Sequence, residues 1–69
     1  MEKDWEKVFT SMNIQETYLL ISMLEENNVK VVELNHQDTS YPVFGERKLY
    51  VHVDDVMKAL KIIKTLHIE

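Results

Sequence analysis

The chain has 69 residues, 45% hydrophobic and 29% charged, with a formal net charge of -4 and no cysteine. That supports a single domain over residues 1–69 with a small core and modest stability, reinforced by neither a disulfide nor a thiolate metal centre. The acidic balance disfavours a nucleic-acid partner; no apolar run approaches the roughly 20 residues of a membrane span; and the mixed-sign start MEKDWEKVF is not a signal peptide, so a cytoplasmic protein with no membrane partner is expected.

Residues 5–10 read as a first strand. Alternation puts Val8 on one face with Glu6 and Thr10, and Trp5, Lys7 and Phe9 on the other. A helix follows from Asn13, a good N-cap with Glu16 three residues on, a capping-box arrangement. It is expected to run to about Asn27, where the Asn27-Asn28 pair suits a left-handed C-cap. Leu20, Ile21 and Leu24 sit at the centre of its apolar arc, and Ile14, Tyr18, Leu19 and Met23 widen it on both flanks. So wide an arc fits either a core helix with Tyr18 half-exposed or a helix with a second contact surface.

Residues 29–35 form a second strand rich in β-branched side chains, with Val32 and Leu34 assigned to one face and Val31 and Glu33 to the other. A polar connection over 35–46 holds the one proline and the one glycine of the chain, Pro42 and Gly45. Residues 48–53 alternate cleanly as a third strand. Leu49, Val51 and Val53 face one way, Tyr50 and His52 the other. Asp54 is expected to cap a second helix, with Val56, Ala59, Leu60, Ile63 and Leu66 on its apolar side. Lys58, Lys61 and Lys64 line the opposite side, as a solvated face or an anion site.

The order β-α-β-β-α predicts an α+β fold: a ferredoxin-like βαββα sandwich lacking its final strand. Its three-stranded antiparallel sheet has the order 1-3-2, with two helices on one face. The first strand is then an exposed edge, shielded by Glu6 and Lys7. The face without helices is expected to carry Trp5, Phe9, Val31, Tyr50 and His52. An aromatic patch on an open sheet calls for a cover, and a homo-oligomer is the first choice, with Trp5, Phe9, Tyr50 and His52 as its contact residues.

The connection 35–46 is the candidate site. Asn35, Gln37, Asp38 and Ser40 supply donors and acceptors. Tyr41 and Phe44 supply apolar walls, Gly45 permits a tight return, and Glu46 closes the segment. The same residues also suit a purely structural turn. His36, Asp38 and His52 are competent metal ligands at weakly diagnostic spacing. His36, Asp38 and Ser40 share one short segment without the fixed geometry of a catalytic triad. No cofactor and no catalytic residue is assigned.

The run W-x-x-V-F-T, a helix opening at N-x-x-E and ending LEENNV, and then V-x-L-N-x-Q-D-T-S-Y-P-x-F-G-E-x-x-L-Y-V resemble a family of small bacterial signal-transducing domains of unknown function. The resemblance covers nearly the whole chain. It rests most on Leu34, Asn35, Gln37, Asp38, Ser40, Tyr41, Phe44, Gly45, Glu46, Leu49, Tyr50 and Val51. It implies kinship with PII-like regulators, which share the ferredoxin-like fold and often assemble with sheets facing inward. This chain is shorter than a PII protein and lacks its long regulatory loop, so nucleotide binding does not carry over. The expected role is a non-enzymatic regulatory domain that binds a small ligand or protein partner through 35–46. The alternatives are a structural oligomerisation module and a small metal-binding protein.

Overall fold

The computed structural model describes residues 3–35 and 46–66. They form β1 (Trp5–Ser11), α1 (Ile14–Glu26), β2 (Val31–Asn35), β3 (Arg47–His52), a 3-10 turn (Val53–Asp55) and α2 (Val56–Leu66). The sheet has three strands in the order β1-β3-β2, and both outer strands run antiparallel to β3. This is the α+β architecture and strand order expected from the sequence. Among the described residues, no helix is long and apolar enough to cross a membrane.

Local chemistry explains the borders of α1. Asn13 has extended backbone angles, and its Oδ1 accepts the Glu16 backbone N–H at 3.0 Å. The expected capping box closes through an intermediary. The Asn13 N–H donates to Ser11 Oγ at 2.9 Å, and Ser11 Oγ donates to the Glu16 carboxylate at 3.1 Å. The Thr17 hydroxyl donates to the Asn13 carbonyl at 2.9 Å, so this fully buried polar side chain is satisfied. At the other end Asn28 takes a positive φ of 64°, a region that asparagine tolerates. The Val29 N–H then reaches the Leu24 carbonyl at 2.9 Å and the Asn28 N–H reaches Glu25 at 3.0 Å. That is a Schellman motif, and its hydrophobic partners, Leu24 and Val29, are both buried. Val29, expected to begin β2, instead locks the end of α1.

The core is Leu20, Leu24, Val29, Leu49, Val51 and Ala59. Leu49 and Val51 are two residues apart on β3 and so share a face. They cluster with Leu20 and Leu24 of α1 and Ala59 of α2, which puts both helices on that one face. Complete burial of each large aliphatic side chain contributes about 1.5–3 kcal/mol.

Register corrects several expected positions. Directly opposed residues in an antiparallel pair share a face. Val31 lies opposite Val51 and Glu33 opposite Leu49, so these two β2 side chains lie on the helix side. Val32 opposes Tyr50 and Leu34 opposes Lys48, so Val32 and Leu34 lie on the open face, the reverse of the sequence assignment. In β1 the pairing shifts between Lys7 and Phe9: Lys7 opposes Tyr50, Phe9 opposes Leu49, and Val8 is the extra residue. This bulge brings both Val8 and Phe9 against the core, so Phe9 leaves the proposed oligomer face.

The start of the second helical segment differs as well. His52 Nδ1, not the Asp54 side chain, caps the 3-10 turn, accepting the Asp54 backbone N–H at 3.1 Å. Val53 belongs to that turn and is 42% exposed rather than core. On α2, Ile62 packs against the core, whereas Leu60 is 46% exposed.

Candidate functional site

Two surfaces converge on β3. The first is the open sheet face. Its cross-strand rows are Trp5 with His52, Lys7 with Tyr50 and Val32, and Thr10 with Lys48 and Leu34. The Trp5 and His52 rings meet edge to face, with centroids 5.8 Å apart and planes at 81°. His52 is therefore held twice, by this ring contact and by its bond to the turn. Trp5, Val32, Leu34, Tyr50 and His52 are all half-buried although no described element lies over them. Of the predicted contact residues, Trp5, Tyr50 and His52 share this face.

The second surface is the root of the connection 35–46. Asn35, the last residue of β2, opposes Arg47, the first of β3. Glu46 stands immediately before that strand and is half-buried. On the helix side Arg47 Nη1 donates to Glu33 Oε2 at 2.7 Å. The guanidinium also lies 5.7 Å from the centroid of the Tyr18 ring, in cation–π range. The Glu33 hydrogen bond is the main reason the Arg47 pKa is raised, with Tyr18 adding to it. The two side chains are only 16% and 25% exposed, so the pair is sheltered rather than solvated. Arg47 Nε is buried without a hydrogen-bond partner among the described residues.

This three-residue cluster joins α1, β2 and β3, and sequence reading missed it. The signal was present: a single arginine at one end of a strand, and an acid alone in a β-branched neighbour. Joining them required the register. Gln37, Asp38, Ser40, Tyr41, Phe44 and Gly45 lie outside the described residues, as does His36; of the candidate metal set His36, Asp38 and His52, only His52 is described. Among the described residues, no cluster of three or more histidine and carboxylate side chains is placed to hold a metal ion.

The outer surfaces of the helices carry further apolar groups. Ile14, Tyr18 and Leu19 of α1 are about half-exposed, and Met57 of α2 is 78% exposed. Lys58, Lys61 and Lys64 are exposed. An open depression of about 360 Å³ lies between the start of α1 and the end of α2, bordered by Asn13, Gln15, Glu16, Leu19 and Leu66. Its Asn13 and Glu16 side chains are engaged in the helix cap. Comparison with protein-family models, curated proteins and solved structures finds no match to the chain.

Proposed function

We propose that the chain is a regulatory or adaptor domain that works by binding rather than by catalysis, and that it self-associates through the open sheet face. One observation carries this reading. β2 turns Val32 and Leu34 toward the uncovered face while its carboxylate, Glu33, lies on the helix side, paired with Arg47. A strand facing water on its open side would favour the opposite arrangement. Together with Trp5, Tyr50 and His52, these residues form an apolar and aromatic surface suited to a protein contact. The ferredoxin-like, PII-like signal-transducing assignment belongs with this proposal, and the strand order and one-sided helices are compatible with it.

In this reading the connection 35–46 recognises the ligand or partner. The Arg47–Glu33–Tyr18 cluster fixes its root, so occupancy would be transmitted to β2 and β3, which build the associating face. Sedimentation at several concentrations tests the face. Wild type should show a concentration-dependent increase in mass that Trp5→Ala and Tyr50→Ala each reduce, and a strict monomer throughout would refute it. Calorimetric titration with a panel of nucleotides and metabolites tests the connection. Binding should weaken in Asp38→Ala; tight binding indifferent to that change would move the site elsewhere.

A further inference from the structure

The two edges of the sheet are built differently. β1 is irregular: the bulge at Val8 breaks its pairing rhythm, and the exposed charges of Glu6 and Lys7 flank it. Bulges and charges are the usual devices that stop an edge from recruiting another strand. β2 has neither. Its five residues pair with β3 in unbroken register from Val31 to Asn35, and three of them are aliphatic. Its one charge, Glu33, is bound at 2.7 Å to Arg47 of the same chain. Among the described residues, no strand pairs with its outer edge.

From this contrast we infer that β2 is a self-pairing edge: two copies of the chain join β2 to β2, antiparallel, about a two-fold axis. The two three-stranded sheets would become one continuous sheet of six.

A second copy is the occupant that the charges favour. An antiparallel two-fold pair brings a strand against its own reverse, so an edge with an unbalanced charge near its middle would repel itself. β2 presents no such charge, because Glu33 arrives neutralised by Arg47. Lys30, exposed just before the strand, falls at opposite ends of an antiparallel pair, and its two copies stay apart. The backbone supplies the remaining complementarity. Residues of β2 whose N–H and C=O groups point away from β3 meet the same groups of the second copy, donors to acceptors. The helices of both copies then lie on one side, and the two open faces merge into one surface around Val32 and Leu34.

The edge contact and the face contact are separate, and one experiment distinguishes them. The double variant Trp5→Ala, Tyr50→Ala removes aromatic contacts from the face and leaves β2 untouched. Its sedimenting mass and its amide hydrogen exchange are measured from dilute solution up to about 1 mM, the limit of weak but specific affinity. Edge pairing predicts a doubling of mass with rising concentration. Exchange should slow at alternate amides of Val31–Asn35, those directed away from β3, with no matching change along β1. A monomer over the whole range overturns the inference, and so does a dimer whose outward β2 amides exchange as fast as in the monomer. If wild type dimerises and the double variant does not, the face alone associates and the edge proposal fails.

Discussion

Single side chains in this small domain hold positions that ordinary surface residues do not. Asn13 accepts the Glu16 amide and is itself held through Ser11, so Asn13→Ala should cost about 1 kcal/mol, read as a lower urea midpoint with an unchanged slope. Arg47→Gln should destabilise more than Lys7→Gln in the same assay. The first leaves the sheltered Glu33 carboxylate without its partner, whereas the second alters a solvated side chain. Pairing raises the Arg47 pKa, so its contribution is complete at any pH below the ordinary guanidinium value and is lost only above it. Between pH 5 and 9 the arginine stays charged, so the excess cost of Arg47→Gln over Lys7→Gln should not vary with pH, a point that denaturation at several pH values checks. The cap was legible from N-x-x-E because capping is decided within four residues. The Arg47–Glu33 pair was not, because it joins residues 14 apart in sequence through a strand register.

At the scale of elements, the end of α1 depends on the left-handed backbone of Asn28. Asn28→Val should cost about 1–2 kcal/mol, the penalty of forcing a side chain branched at Cβ into that region. Asn28→Gly should be neutral or slightly stabilising, and thermal unfolding of the two variants separates them. The helices, the strands and their order were readable because each carries its own period and its own punctuation. The faces of β1 and β2 were less so. Val31, Val32 and Leu34 put aliphatic groups on both sides of β2, so alternation could not choose between them, and pairing with β3 made the choice. Val8 and Phe9 are adjacent apolar residues in a nominally alternating strand; that was the trace of a bulge, and strict alternation read it as two faces. On the open face, sequence reading placed three of the residues found there, Trp5, Tyr50 and His52, while residues 36–45 of the connection lie outside the described residues. It could not supply Val32, Leu34 and Lys48, whose side of the sheet is a tertiary property.

At the scale of the whole molecule, the core among the described residues is six buried hydrophobic side chains gathered from both helices, β3 and the close of α1. Leu49→Ala should remove about 2–5 kcal/mol, a large share of the 5–15 kcal/mol typical of a folded domain. Urea denaturation should show a transition near the start of the titration, or a chain already unfolded. With so small a reserve, the proposed association would register as stability: any contact made only by the folded chain raises its apparent stability as concentration rises. Trp5 makes that linkage visible. It is the sole tryptophan, packed edge-on against His52 on the open face, away from the core. Its emission therefore distinguishes assembly from folding: a cover over this face would shift the indole spectrum to the blue, while pairing through β2 alone would leave its colour unchanged. The indole is a built-in optical gauge for the proposed face contact.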